Sequence, residues 1–298
     1  MISPVNATDR IGDRLVQAGI LTPEQAVKVT ELQLAEGLRF GEAAVKLNFT
    51  TEQEVRRVLS KQFHYAIAPA GQRGGISQTL SIAHQPFGSE AEAIRQLRTE
   101  LSIRLRDRPR IDIAVVSPNK GEGRSYLAAS LAIAFSQAGQ RTLFINADMR
   151  DGQQQPLFDA EKTVGLSSIL ADRSPALPGM PIAHFPLLHV IGSGPQPPNP
   201  IEILQESALR NLIDSFDPGF EVCIVDTPAA RLSSDTQVIA QQIGTCLLVG
   251  RKNVTPLKDL QYTRDLLDMT GAQVVGTVYN QFGGRPRRGW WPKRGVQA

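Results

Sequence analysis

Cysteines, aromatic residues and long apolar runs are all scarce in this sequence. Its two cysteines, Cys223 and Cys246, each fall inside a predicted buried strand, so neither a disulfide framework nor a cysteine metal site is expected. No apolar run approaches the roughly 18 residues of a membrane span, and the first residues lack the apolar core of a signal peptide. We therefore expect a cytoplasmic protein that reaches a membrane only through a partner.

An excess of one charge is absent as well. The net charge is +3 over 298 residues, which is too small to indicate nucleic acid as a partner. A hydrophobic fraction of 41% with 20% charged residues is typical of a globular protein. The length predicts roughly two domains of about 150 residues each.

An internal repeat occupies the start of the chain. Four positions recur 29 residues apart, namely Arg10, Gly12, Gly19 and Gln33 in the first copy and Arg39, Gly41, Asn48 and Gln62 in the second. In each copy a threonine, Thr22 or Thr51, precedes acidic and amide residues, which is typical of a helix start. Two such helix–turn–helix units predict a small all-α domain over residues 1–64, since a solenoid needs at least three repeats.

Alternating strands and helices are predicted for most of the remaining chain. Residues 65–88 are rich in glycine and proline without periodicity and predict a linker, and a helix is predicted from about Ser89. The predicted strands are residues 111–116, 142–146, 187–191, 220–226, 245–250 and 273–279. This alternation predicts an α/β domain over residues 89–282, with a mainly parallel sheet wrapped by helices and ligands at the carboxyl ends of the strands.

Residues 283–298 are predicted to form a separate basic tail that contains two adjacent tryptophans. Cations beside tryptophans suit an anionic membrane surface or an acidic partner segment. A disordered basic end explains the same composition.

A glycine-rich loop between the first predicted strand and the following helix is the most informative motif. The segment SPNKGEGRSY, residues 117–126, places backbone N–H groups and a helix start where a phosphate can bind. Its candidate nucleotide-binding residues are Lys120, Gly121, Glu122, Gly123, Arg124, Ser125 and Tyr126, and the Ser125 hydroxyl is a candidate Mg²⁺ ligand. The strict phosphate-loop pattern fails at Pro118 and Arg124, so a plain glycine turn stays an alternative.

Two acidic residues follow later predicted strands. Asp148 lies in the segment NADMR, and Asp226 ends the apolar run that leads into VDTP. A carboxylate that leaves a strand beside a phosphate loop can hold Mg²⁺ or its water. A solvated strand-end acid is the alternative for each, but their order after the loop favours nucleotide binding.

These motifs together resemble a known family. SPNKGEGRSY, NADMR, PPNPIEIL (residues 197–204) and VDTPA are similar to the bacterial tyrosine kinases of exopolysaccharide loci, above all to the chain-length-determinant kinases of the EpsG type. The resemblance covers residues 88–282 and implies a three-layer α/β/α P-loop NTPase fold, related to MinD and ParA, that binds ATP and Mg²⁺. PPNPIEIL also reads as a capped turn into a helix.

The resemblance also implies roles for individual residues and a cellular setting. Arg124, Asp148 and Asp226 take the catalytic positions, the last two with Ser125 hold Mg²⁺, and Asn280 approaches the adenine ring. A strand-end turn explains Asn280 equally well. The family works with a membrane chain-length regulator, Wzz-like, at the inner membrane. The segment with Glu92, Arg95 and Arg98 resembles its helix for homo-oligomer contact, although a solvated ion pair has the same spacing.

Three departures from the family pattern leave other functions open. Arg124 replaces the loop lysine, Asn146 replaces the first aspartate of the DxDxR motif, and the tail has no tyrosine cluster. An amide cannot act as a general base and is a weaker metal ligand. One alternative is therefore a scaffold that binds ATP without phosphotransfer. A ParA- or MinD-like positioning ATPase is another, although Asn119 stands where that group has a further lysine.

The N-terminal repeat resembles a second family, the N-terminal domain of type II secretion ATPases of the MshEN kind. Some of those domains bind cyclic di-GMP. On this resemblance the candidate ligand residues are Arg10, Gly12, Gly19, Gln33, Arg39, Gly41 and Gln62. The alternative is a helical module for protein docking with glycines at its turns.

Overall fold

The structure is a computed structural model. It describes residues 11–52, 54–55, 58, 66, 68, 75–151, 156–159, 165–205, 207–216 and 218–281. The chain divides into two compact units, the first made of Met1–Gln72 and Ser81–Glu92 and the second of Arg73–Leu80 and Ala93–Ala298.

The described part of the first unit is mainly helical. Its helices are α1 (Ile11–Gln17), α2 (Pro23–Glu36), α3 (Phe40–Lys46) and α4 (Ser81–His84). Thr22 caps α2, because its hydroxyl accepts from the Gln25 amide while the Gln25 side chain accepts from the Thr22 amide. Thr51 and Glu54 form the same reciprocal pair in the second copy of the repeat. The core consists of Leu15, Leu21, Val29, Ala43, Ala44 and Val58.

Seven strands among the described residues form the sheet of the second unit. They are β1 (Ile111–Val116), β2 (Thr142–Asn146), β3 (Met180–Ile182), β4 (Phe185–Ile191), β5 (Val222–Asp226), β6 (Thr245–Arg251) and β7 (Gln273–Asn280). Their order is β3-β4-β2-β5-β1-β6-β7, and every neighbouring pair is parallel except β3 with β4. The predicted mainly parallel sheet is confirmed. The short β3 is not predicted, because three residues that include Pro181 carry no alternation.

Helices cover both faces of this sheet. They are α5 (Ser89–Arg104), α6 (Arg124–Gln137), α7 (Leu166–Leu170), α8 (Pro200–Ile203), α9 (Ala208–Asp214), α10 (Asp235–Ile243) and α11 (Leu257–Asp268). Side chains of α7, α9 and α10 pack with alternate strand residues such as Ala114, Val116 and Leu143 in one core. Helix α6 lies outside that core and packs on β1, β2, β4 and β5, so it covers the opposite face. The α/β/α architecture is thereby confirmed.

A register shift marks the pairing of β6 with β7. Cys246 pairs with Val274 but the next residue, Leu247, pairs with Gly276, so β7 carries one extra residue. Beyond this bulge the register is regular and brings Arg251 opposite Asn280 at the carboxyl end. Both residues therefore reach the edge of the sheet where β1, β2 and β5 end.

Within the described ranges, none of the helices combines the length and the apolar character that a membrane span requires.

Candidate nucleotide site

The glycine-rich loop connects β1 to α6 at the carboxyl edge of the sheet. Gly121 and Gly123 have φ angles of 77° and 90°, which favour glycine, and α6 begins at the next residue, Arg124. Lys120 is exposed and pairs with Asp151 from the loop after β2. Tyr126 lies half-buried in the first turn of α6. This strand–loop–helix arrangement directs the N-terminus of a 14-residue helix at the loop, which favours an anion there.

Arg124 is the centre of the polar cluster below the loop. Its Nη1 donates to the Ser117 hydroxyl at 3.0 Å, its Nε to Asp226 at 3.3 Å, and its Nη2 to Asp148 at 3.4 Å. The arginine side chain is 8% exposed. A guanidinium therefore lies between the two carboxylates that the sequence predicts as Mg²⁺ ligands.

Asp226 ends β5 and is almost completely buried. Burial raises its pKa to about 6, even though the Arg124 charge and a hydrogen bond from Ser125 both favour the ionised form. The three predicted Mg²⁺ ligands are thus close together, because Ser125 contacts Asp226 and Arg124 bridges Asp226 to Asp148.

A tight turn after β2 orients Asp148. Its amide donates to the Asn146 side-chain oxygen at 3.1 Å, and its own carboxylate accepts from the amides of Arg150 and Asp151. Arg150 forms a two-bond ion pair with the buried Asp235 at the start of α10, at 2.7 and 3.0 Å. Asn146 therefore shapes the turn through its oxygen, and it supplies no carboxylate.

Glu122 faces into the protein. Its side chain is buried and accepts from the amide of Asn119 at 2.8 Å, from the Asn119 side chain at 3.1 Å, and from the Thr255 hydroxyl. Its carboxylate is thus engaged in holding the loop.

Residues at the ends of β6 and β7 hold the loop from one side. Arg251 donates to the Gly121 carbonyl at 3.0 Å, and the Asn280 side chain donates to the Glu122 carbonyl at 2.9 Å. The sequence motifs predict neither a role for Arg251 or Thr255 nor this contact of Asn280. Their position in the chain could have indicated them, because the strands predicted at 245–250 and 273–279 must end at the same edge of a parallel sheet as β1.

The described residues contain no cluster of three or more His, Cys, Asp or Glu side chains that could hold a metal ion. Two carboxylates and a serine hydroxyl nevertheless suit Mg²⁺, which takes few protein ligands and completes its shell with phosphate oxygens and water. This donor set fits a metal that binds together with a nucleotide.

The predicted oligomer residues lie on α5. Glu92 is exposed, Arg95 is half-buried, and Arg98 donates to the Ala134 carbonyl of α6 at 3.1 Å. Arg98 is therefore engaged within its own chain.

Packing explains two of the repeat glycines in the first unit. A Cβ atom at Gly12 would lie 3.0 Å from the Phe40 ring, and one at Gly41 would lie 2.8 Å from the Val55 side chain. Gly19 has a φ angle of 68°. Gln33 is half-buried and Arg39 exposed, whereas Arg10, Gln62 and the tail 283–298 lie outside the described residues. Cyclic di-GMP binding stays a prediction.

A mainly parallel sheet, a phosphate loop and carboxylates at two neighbouring strand ends define the second unit as a P-loop nucleotide-binding domain. No family model matches the sequence. Its relatives include the tyrosine-protein kinase Etk of Escherichia coli K12, 31% identical over 65% of this chain and 27% of that protein. The tyrosine-protein kinase Wzc of Salmonella typhi is 32% identical over 69% of this chain and 28% of its own length.

The putative tyrosine-protein kinase CapB of Staphylococcus aureus is 26% identical over 68% of this chain and 89% of its own. The kinase domain of Escherichia coli Etk superimposes with a TM-score of 0.65 at 25% identity, over 77% of this chain and 96% of that domain. The chimerical protein CapA2B2 gives 0.63 at 29% identity, over 77% and 98%. The second unit is thus a relative of the bacterial tyrosine-kinase domains, as its motifs predict. The chain spans only 27–28% of the length of Etk and Wzc.

Proposed function

We propose that the second unit binds Mg²⁺-ATP at the carboxyl edge of its sheet and transfers the γ-phosphoryl group to protein tyrosine. The observation that carries this proposal is the position of Arg124 between Asp148 and Asp226, directly below a glycine loop that opens α6. The relatives named as tyrosine-protein kinases support the same reaction.

Each group at the site would contribute according to its chemistry. Backbone N–H groups of the loop and the start of α6 would bind phosphate oxygens. Arg124 would bind the β- and γ-phosphates, since a guanidinium can donate two parallel hydrogen bonds to a phosphate. Its present bonds to Asp148 and Asp226 are 3.3–3.4 Å long, so no short ion pair has to break when it turns to the nucleotide.

Ser125, Asp148 and Asp226 would hold Mg²⁺, which neutralises phosphate charge during the transfer. The tyrosine oxygen would form the new O–P bond while the bond from the γ-phosphorus to ADP breaks, and the tyrosine proton would pass to solvent. Asp226 and Asp148 are the buried carboxylates nearest this chemistry, and Asn146 beside them is neutral. The protein therefore offers positioning and charge rather than a dedicated base at that place.

The cellular role follows from the resemblance. We propose that the kinase acts in exopolysaccharide production, where a Wzz-like chain-length regulator would recruit it to the inner membrane and where it would form homo-oligomers. Its acceptor tyrosines would lie on that partner or on another copy of the chain.

The direct test is intact-mass analysis of the purified protein, alone and with its membrane partner, before and after incubation with Mg²⁺-ATP. A mass gain of one or more phosphoryl groups, located on tyrosine by peptide analysis, is expected. The Asp226→Asn variant serves as the matched control and should gain none. If neither protein gains phosphate on tyrosine, the kinase function is excluded.

A scaffold that binds ATP without transferring phosphate is the second candidate, and Asn146 is the observation that favours it. Nucleotide would then set an assembly state through the same loop. In that case wild-type protein binds ATP and its mass stays unchanged, while Asn146→Asp restores phosphotyrosine.

A further inference from the structure

The phosphate loop is held from one side by three hydrogen bonds. Arg251 donates to the Gly121 carbonyl, Asn280 to the Glu122 carbonyl, and Thr255 to the Glu122 carboxylate. The Thr255 hydroxyl also accepts from the Arg251 amide, so these two residues form one turn after β6. We call Arg251, Thr255 and Asn280 the loop clamp.

Asn280 approaches the loop more closely than any side chain at Gly123 would allow. A Cβ atom placed at Gly123 would lie 2.0 Å from the Asn280 side-chain nitrogen. Glycine at this position therefore serves the clamp as well as the positive φ angle of 90°. The sequence pattern explains Gly123 by phosphate approach, and the structure adds Asn280 as a second reason.

The carboxylate of Glu122 supports the same geometry from inside. It is 1% exposed, and its hydrogen bonds to Asn119 and Thr255 connect the start of the loop to the turn after β6. A buried carboxylate with several donors resists rearrangement, because losing any one of them would leave part of its hydrogen-bonding capacity unsatisfied away from water. The loop carbonyls are thus turned toward the clamp and fixed there.

We propose that Asn280 is a positioning residue of the phosphate loop, which acts through the Glu122 carbonyl and fixes the loop in shape before nucleotide binds. This inference rests on the proposed nucleotide binding. This role differs from recognition of the adenine ring, because the side-chain nitrogen of Asn280 already donates to the loop. The expected contribution of Asn280 is then to phosphate affinity, whatever base the nucleotide carries.

The test compares three ligands with Mg²⁺: ATP, GTP and inorganic tripolyphosphate, which has no base. Asn280→Asp keeps the shape of the side chain and replaces the donor with an acceptor that faces a carbonyl. We expect it to weaken all three by a similar factor of about tenfold. Arg251→Met removes a neighbouring clamp bond and should weaken all three by a smaller common factor. Gln281→Ala is the control, because Gln281 is exposed and bonds only the Lys252 side chain in the described contacts.

Calorimetric dissociation constants and amide exchange of the loop decide the result. Equal loss for the three ligands, with faster exchange confined to residues 119–125, supports the inference. A loss for ATP alone, with tripolyphosphate unchanged, would identify Asn280 as a base reader and overturn it. Unchanged affinities overturn it too, and so does faster exchange throughout β6 and β7. If the wild-type protein binds none of the ligands, the proposed function itself fails, which is a different outcome from a failure of the variant.

Discussion

Two clusters of arginine and aspartate lie at opposite ends of the same sheet. At the amino end of β1, Arg110 and Arg210 alternate with Asp112 and Asp214 in a ring whose bonds are 2.7–3.4 Å long. At the carboxyl end, the single Arg124 serves Asp148 and Asp226 at 3.3–3.4 Å. The first cluster is balanced in charge, and the second has one cation for two carboxylates.

This difference separates a structural cluster from a binding site. The ring at the amino end leaves no net charge to neutralise and joins β1 to α9 through short ion pairs, although it lines a cavity of about 220 Å³. The carboxyl-end cluster is more deeply buried and has one positive charge fewer than it has carboxylates, so it can accept a further cation. Similar residue types thus serve packing in one place and, as we propose, metal and phosphate binding in the other.

Removing the lone cation should have the largest effect. We expect Arg124→Gln to lower the rate of phosphotransfer at least about 1,000-fold, equal to about 4 kcal/mol, because it removes the charge that binds the phosphates. Arg124→Lys should stay within about tenfold of wild type. Phosphotyrosine formation over time measures both, and a thermal melt checks that each variant is folded. A Gln variant as fast as wild type would contradict the role of Arg124.

Breaking the balanced ring should affect stability and leave the nucleotide site alone. We expect Asp112→Ala to cost about 3 kcal/mol of unfolding free energy, since it leaves two guanidinium groups near the protein interior without this partner. Asp107→Ala removes an exposed pair with Arg106 and should cost almost nothing. Denaturant unfolding measures the difference. Equal stability of the two variants would mean that the ring contributes little.

The pH dependence of stability offers a third comparison. Asp226 has a pKa raised to about 6 by burial, above its ordinary value of 3.8, so between these values the folded state holds more protons than the unfolded state. The Asp226 contribution to stability therefore falls as pH rises across this window. Relative to wild type, the free energy of unfolding of Asp226→Asn should rise by about 3 kcal/mol as the pH goes from 4 to 6. Above pH 6 the difference between the two proteins should stay constant. Denaturant unfolding at several pH values tests this, and a pH-independent difference would contradict it.

Adding a carboxylate to the unbalanced cluster should have the smallest effect. Asn146→Asp keeps the oxygen that accepts from the Asp148 amide, and it adds a negative charge beside the proposed metal site. We expect the Mg²⁺ concentration that half-saturates ATP binding to fall about tenfold, which equals about 1.4 kcal/mol. Gln140→Glu makes the same charge change before β2, at the other end of that strand, and should have no effect. Equal Mg²⁺ dependence in the two variants would place Asn146 outside the metal site.

The strands and the phosphate loop could be predicted because each is determined by the residues of one short segment. The apolar runs predict the bounds of β1 and β2 correctly at both ends. The order of the glycine loop and the strand-end acids along the chain predicts that Arg124, Asp148 and Asp226 lie close together, as they do. The direction of the Glu122 carboxylate could not be predicted in this way, since it depends on Thr255, which is 133 residues away. Nothing in the local sequence of Arg251 or Thr255 distinguishes them from ordinary turn residues.

The bulge in β7 has a consequence for how changes in chain length would affect this protein. Because successive side chains of a strand face opposite sides, the extra residue near Val275 determines that Asn280, rather than exposed Tyr279, stands beside the loop. Inserting one residue between Gly276 and Tyr279, with the bulge kept, would leave every residue of the phosphate loop and the strand end intact, yet it would bring Tyr279 opposite Arg251 and present the wrong side chain to Glu122. A length change several residues upstream would thus act as a substitution within the site.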